Sequence, residues 1–184
     1  MQLITAVNLI MPKLGERPVT SLDTKHPTLA IILPVLEHQM REVLMRGWWF
    51  NTSRITLHPD SEGFIDKPQA CLSFLPDESL NVVVRGERMY DMTNRTFKFA
   101  GKVSGEYIEA IDFEELPESV ANYIWYSTLV QAYLTDIGLE QIVEQWSNEA
   151  QSAEAVATAE HLRNRKYSTR KSPRFIRLRR AMRG

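Results

Sequence analysis

Apolar residues recur every three to four positions in the first quarter of the chain, which is the spacing of amphipathic helices. One predicted helix covers residues 2–13 and ends before Gly15. A second covers residues 28–46 and ends at Gly47. Pro34 lies inside the second segment, so the helix either begins near it, with the proline in the first turn, or kinks there.

The same helical spacing returns in the last third of the chain. A broad apolar pattern over residues 117–137 predicts a well-buried helix, for which Pro117 suits the first turn. Gly138 interrupts the pattern, and a further helix is predicted from Leu139 to about residue 167. At 1.5 Å per residue this last helix would be roughly 40 Å long.

Between these helices the apolar period falls to two, which indicates strands. Residues 49–110 contain five or six short segments of this kind, and we expect them to form an antiparallel sheet. Asn94 marks the turn of a predicted hairpin, whose flanking apolar residues are Tyr90, Met92, Phe97 and Phe99.

The order of these elements predicts an α+β fold. We expect a bundle of about four helices, built discontinuously from residues 1–48 and 111–167. Residues 49–110 would form a small antiparallel β-region inserted between the two parts of the bundle. Residues 168–184 would form an extended basic C-terminal tail.

Charge is distributed very unevenly along the 184 residues, although the formal net charge is only −1. Residues 163–184 contain ten lysines and arginines and no acidic residue. Residues 1–162 therefore hold the remaining 12 basic residues and all 23 acidic ones. An acidic body with a basic tail suggests that the tail binds an anionic or acidic partner.

Motifs of cofactor or metal chemistry do not stand out in the sequence. The only cysteine, Cys71, cannot form an intramolecular disulfide, which fits a reducing compartment. No glycine-rich phosphate loop has the required spacing, and His38 is a weak candidate for a metal ligand. The apolar N-terminus is too short to span a bilayer and lacks the basic start of a signal peptide. We predict no metal and no cofactor.

An acidic cluster precedes the third helix and is the best candidate for catalysis. Its members are Asp112, Glu114, Glu115 and Glu118. A pair of these carboxylates could serve a polysaccharide hydrolase, with Glu115 as the residue to test. The favoured interpretation is a charged helix N-terminus, where the helix dipole stabilises acidic side chains. We therefore predict no catalytic residues.

Tryptophans are the most prominent structural candidates. On a strand, Trp48 and Trp49 would point to opposite faces, so one would enter the core and the other would reach a neighbouring element or subunit. Trp125 and Trp146 belong to the apolar stripes of the last two predicted helices. All four are predicted to have structural roles.

The basic tail permits two interpretations. Electrostatic DNA binding would be salt-dependent and would vanish on truncation at about Arg163. However, large apolar side chains alternate with arginines here, as in a peptide that docks into a groove. We favour docking. The predicted docking residues are Arg170, Arg174, Phe175, Ile176, Arg177, Leu178, Arg179, Arg180 and Met182.

Several segments, taken in order, resemble the tail tubular protein A family, the head-to-tail adaptors of podovirus bacteriophages. The resemblance covers about residues 5–150. The segments are AVNLIMPKLGERPVTSLD, MREVLMRGWWFNTSRITLHPD, VVVRGERMYDMTNRTFKF and FEELPESVANYIWYSTLVQAY.

This resemblance implies a structural virion protein without enzymatic activity. Family members are expected to form a dodecameric ring beneath the portal and to carry the tail nozzle, tail tubular protein B. Double-stranded DNA would pass through the ring lumen during ejection without sequence-specific binding. In such an adaptor, the basic tail would dock to the portal or to a neighbouring subunit. The protein would be assembled in the bacterial host cytoplasm and located in the virion tail, and no membrane partner is implied.

Overall fold

The computed structural model describes residues 1–165, and the first two helices lie close to their predicted positions. Helix α1 spans Leu3–Ile10 and continues into a 3₁₀ turn, Met11–Leu14. Helix α2 spans Pro27–Leu44 and runs through Pro34, so the alternative start near this proline is wrong. The imidazole Nδ1 of His26 accepts a hydrogen bond from the Thr28 amide and caps α2.

Two long helices complete the helical part. Helix α3 spans Glu118–Asp136 and helix α4 spans Gln141–Asn164, as the apolar spacing predicts. Helix α3 packs against both α2 and α4. The four helices enclose one apolar core, whose fully buried members include Val7, Ile10, Met11, Ile32, Leu44, Val120, Ile124 and Leu129. None of the helices in the described part is long and apolar enough to cross a membrane.

Five strands lie between α2 and α3, and they form two sheets instead of the single predicted one. Their bounds are β1 Thr52–Leu57, β2 Cys71–Pro76, β3 Val82–Arg85, β4 Arg88–Asp91 and β5 Val103–Glu109. Strand β5 lies between β1 and β2 and is antiparallel to both, with a register shift between Cys71 and Ser73. Strands β3 and β4 form a separate hairpin.

The predicted turn at Asn94 is present, but its second arm is not a regular strand. The carboxylate of Asp91 accepts hydrogen bonds from the amides of Thr93 and Asn94 and from the Asn94 side chain. Between the turn and β5, the chain forms only the isolated bridges Asp91 with Thr96 and Phe64 with Lys98. The side-chain spacing predicted the turn, whereas strand length depends on partners that spacing does not reveal.

A second, smaller apolar cluster lies within the β-region. Its buried members are Ile65, Cys71, Phe74, Val82, Met89, Val103 and Tyr107. Each cluster gives one part of the fold its own interior. The fold is α+β, four helices with small antiparallel sheets, as predicted. The division into a discontinuous bundle and an inserted β-region stays a prediction.

Candidate docking surfaces

Trp48 and Trp49 do not lie on a strand, so the strand geometry on which the prediction of their orientations rested is wrong. Trp48 follows the end of α2, and Trp49 lies in the turn that precedes β1. The indole of Trp48 is buried and donates a hydrogen bond to the Val43 carbonyl at 2.7 Å. Trp49 is half-buried, with its ring centroid 5.0 Å from that of Phe50. The turn keeps the aromatic rings in contact, because the chain reverses direction here instead of continuing as an extended strand.

The tryptophan pair surrounds a histidine from the end of α4. The imidazole centroid of His161 lies 5.5 Å from the Trp48 ring and 6.1 Å from the Trp49 ring. Burial lowers the pKa of His161, and the positive charge of Arg165 lowers it further. Its Nδ1 is buried without a hydrogen-bond partner among the described residues. The neutral form of His161 is therefore favoured, and its ring packs against the two indole rings.

Asn51 joins the helical part to the β-region. Its carboxamide oxygen accepts a hydrogen bond from the Trp48 amide at 2.8 Å. Its nitrogen donates to the carbonyls of Leu44, at the end of α2, and Glu109, at the end of β5, at 3.1 and 2.9 Å. Asn51 is 3% exposed, and its bonds to Trp48 and Leu44 are buried, away from bulk water.

The other two predicted structural tryptophans lie between helices. The indole of Trp125 is buried and donates to the Ala6 carbonyl at 2.9 Å, which ties α3 to α1. Trp146 is half-buried on α4, with its ring centroid 5.0 Å from that of Tyr133 on α3. Both tryptophans thus contact neighbouring helices of the same chain.

The acidic cluster is organised around the N-terminus of the chain. Glu118 pairs with the terminal ammonium group at 3.2 Å. Glu114 accepts a hydrogen bond from the Leu3 amide at 3.3 Å. Asp112 and Glu115 lie at the start and end of the short 3₁₀ turn Phe113–Glu115. Two of the four carboxylates therefore hold the first helix against the bundle.

His38 is exposed on α2. Within residues 1–165, no three histidine, cysteine, aspartate or glutamate side chains lie close enough together to hold a metal ion. Two other histidines have structural contacts, since His161 packs against Trp48 and His26 caps α2.

Helix α4 carries apolar residues on its outer side. Leu139 just before the helix is 86% exposed, Val156 is 58% exposed and Ile142 is 36% exposed. Ile142 and Val156 lie about four helical turns apart, which places them on nearly the same face. In contrast, only Val143 and Ala157 of this helix are fully buried. The exposed row is suited to contact with another protein surface.

The predicted docking residues of the basic tail, from Arg170 to Met182, lie outside the described residues. The described chain ends at Arg165, whose guanidinium group is 3.9 Å from the carboxylate of Glu106 on β5. The role of the tail residues stays a prediction.

Comparison with known proteins identifies the family. The family described as "Tail tubular protein" matches residues 4–167. Tail tubular protein A of Klebsiella phage KP34 is 31% identical over 182 residues, which cover 98% of each chain. The chain belongs to the tail tubular protein family. The predicted resemblance is confirmed, and it extends beyond the segments that first indicated it.

Membership in the tail tubular protein family establishes the broad role. The chain is a structural component of a phage tail and belongs to the virion. Sequence reasoning missed Asn51 and His161 as organising residues. A small amide after three aromatic residues, in GWWFN, is the local signal for Asn51. His161 has no comparable signal because its partners are more than 100 residues away.

Proposed function

We propose that this tail protein is the head-to-tail adaptor of its phage. Twelve copies form a ring beneath the portal, and the opposite face carries the nozzle, tail tubular protein B. The ring has no enzymatic task and forms part of the conduit for ejected double-stranded DNA. Family membership supports a place in the phage tail. The exposed apolar row of α4 is the observation that supports ring assembly.

A closed ring requires two different complementary faces on every subunit. Helix α4 offers one of them, because Leu139 just before the helix and Ile142 and Val156, about 21 Å apart along it, expose apolar surface. Burying such surface between neighbours contributes roughly 25 cal/mol per Å². The same contact repeats twelve times, so a modest surface on each subunit stabilises the complete ring.

The charge of the body suits a channel through which DNA slides. Residues 1–162 carry a net charge of about −11, so twelve bodies would bring roughly −130 around the ring. Any part of that charge that faces the lumen repels phosphate groups and disfavours tight binding. Replacing lumen carboxylates with lysine should slow DNA ejection, and an unchanged ejection rate would count against this role of the charge.

Assembly with purified portal tests the proposal. We expect the full-length protein to give a ring-sized mass with portal in native mass spectrometry. The double variant Ile142→Glu with Val156→Glu should stay folded by circular dichroism but fail to form this species. Gln151→Glu with Thr158→Glu adds the same charge to exposed positions on another side of α4, and it should assemble normally.

Two outcomes would contradict the proposal, the first its adaptor role and the second the role of the apolar row of α4. One is a wild-type monomer that ignores portal but shifts DNA in a salt-dependent manner, as a nucleic-acid-binding tail predicts. The other is equal loss of assembly in both double variants, which would show that added charge, and not the apolar row, is responsible.

A further inference from the structure

An open groove with a volume of about 760 Å³ lies beside α2 in the helical part. It is bordered by the start of α1, the middle of α2, the loop at residues 20–23 and the segment 112–114. Its floor is apolar and is formed by Leu3, Ile4, Leu33, Leu36, Met40 and Phe113. Leu33 and Met40 are only half-buried, so the floor is open to a further side chain.

The rim of this groove is acidic. Asp23, Glu37, Asp112 and Glu114 line it, and all four residues are exposed. None of the lining residues is a lysine, arginine or histidine. An apolar floor within an acidic rim is complementary to a peptide that combines large apolar side chains with arginines.

The chain contains such a peptide outside the described residues. Residues 174–182 read RFIRLRRAM, with four arginines, four large apolar residues and no acidic residue. The apolar members match the floor, and the arginines can form charge-assisted hydrogen bonds with the rim carboxylates. Both the sign of the charge and the apolar character agree.

The C-terminal end of the described chain and one side of the groove lie at the same end of the helical bundle. Glu160, near the end of α4, accepts a hydrogen bond from Ser119 at the start of α3. The adjacent Glu118 pairs with the terminal ammonium group of Met1. Two residues further along α1, the Leu3 amide donates to Glu114 on the groove rim. These contacts connect the C-terminal end of α4 to the groove.

The connecting segment is short. Residues 166–173 separate the end of the described chain from the first arginine of the peptide. Eight residues span at most roughly 28 Å when extended, which sets the limit of their reach. A groove within that reach meets the peptide at an effective concentration in the millimolar range, so even a weak contact is populated.

We propose that residues 174–182 occupy this groove of their own chain in the free protein. The apolar side chains lie on the floor and the arginines face the carboxylates of the rim. The contact makes the groove a self-docking surface. Self-docking itself does not depend on the adaptor proposal. Only its consequence rests on that proposal, namely that the segment leaves the groove before it binds a portal.

Photo-crosslinking in the full-length protein tests the proposal. The variant Phe175→p-benzoylphenylalanine is irradiated, digested and analysed by mass spectrometry. We expect crosslinks to Leu33, Met40 or Phe113. In an equal mixture of unlabelled and ¹⁵N-labelled protein, these crosslinks should join peptides of one label. Crosslinks outside the groove would overturn the proposal, and groove crosslinks of mixed label would overturn its assignment to the same chain.

A matched pair of charge reversals tests the role of the rim. Glu37 and Glu42 are both exposed on α2, but only Glu37 lines the groove. In the crosslinking protein, Glu37→Lys should lower the yield of groove crosslinks at least about threefold, whereas Glu42→Lys should leave it unchanged. Equal yields in the two variants would contradict the electrostatic match.

Portal attachment of the same proteins separates this inference from the proposed function. Groove crosslinks in a protein that never attaches to portal would leave self-docking intact and reject the adaptor role. Attachment to portal without groove crosslinks in the free protein would do the reverse.

Discussion

At the scale of single residues, a few buried polar groups determine how the parts of the chain meet. Asn51 has the largest share, because one carboxamide satisfies a turn amide and two carbonyl groups from different elements. Arg46 acts similarly on the surface, where its guanidinium group bonds to Glu154 on α4 and, at 2.8 Å, to the Tyr123 hydroxyl on α3. Such residues position the helices and strands relative to one another, whereas the apolar pattern determines only that these elements form.

Replacing Asn51 should therefore destabilise the whole chain. Asn51→Ala removes the hydrogen-bond acceptor of the buried Trp48 amide and one donor from each of the Leu44 and Glu109 carbonyl groups, and we expect a loss of about 3 kcal/mol in the free energy of unfolding. Urea denaturation followed by tryptophan fluorescence measures this loss. The control Asn148→Ala, at an exposed position of α4, should change the free energy of unfolding by less than about 0.7 kcal/mol.

His161 should make stability depend on pH in a defined window. Because its pKa is lowered in the folded protein, the unfolded chain binds the proton more readily. The free energy of unfolding is thus highest above the ordinary value of 6.5 and falls as the pH decreases from there towards the lowered value. His161→Gln should flatten this dependence, whereas His38→Gln, on the surface of α2, should preserve it.

Acidic residues contribute to stability in a separate window. Hydrogen bonds from the backbone amides of Phe64 and Asn94 lower the pKa values of Asp60 and Asp91, respectively. Their stabilising effect is present above their ordinary value of 3.8 and is lost at lower pH. A pH dependence above 5 that persists in His161→Gln would show that another group is responsible.

At the scale of elements, helices were predictable and strand partners were not. The four helices follow from apolar spacing within each segment, and Pro34 was the only internal ambiguity. In contrast, β5 pairs with β1 and β2, which lie far from it in the sequence. The close approach of β2 to β5 depends on Gly105. Neither the apolar period nor residue propensities indicate which strand packs against that glycine.

Gly105 should accordingly tolerate no side chain. A Cβ atom at this position would lie 2.5 Å from the Leu75 carbonyl oxygen and 2.9 Å from the Pro76 Cα, and backbone atoms cannot move aside cheaply. We expect Gly105→Ala to lower the free energy of unfolding by about 2 kcal/mol.

The matched control for this substitution is Gly101→Ala. No described atom lies within 4 Å of a Cβ atom at Gly101, so this variant should unfold like the wild type in urea. Similar losses in the two variants would show that the effect of Gly105→Ala does not arise from the close approach of β2.

At the scale of the whole molecule, the sequence predicted the family and the charge asymmetry, but not the surfaces. Leu139, Ile142 and Val156 could equally have been core residues, because spacing alone does not tell which apolar face is left uncovered. The acidic groove was also unpredicted, since Asp23, Glu37 and Asp112 come from three distant segments. Only the folded chain brings them together.

The basic tail gives the prediction that belongs to this scale. Deleting residues 168–184 keeps every member of both apolar clusters of the described part, so the truncated protein should stay folded by circular dichroism. We expect it to lose attachment to portal, because the proposed docking residues are gone. Co-sedimentation with portal measures attachment, and normal attachment of the truncated protein would contradict a docking role for the tail.

The position of Cys71 gives the native protein a built-in reporter. It is the only cysteine of the chain, it lies in the smaller cluster, and burial raises the pKa of its thiol. Reaction with a thiol reagent therefore requires this cluster to open. The labelling rate would measure how often the β-region opens, without a signal from the helical core. The same measurement applies to a single subunit and to an assembled particle.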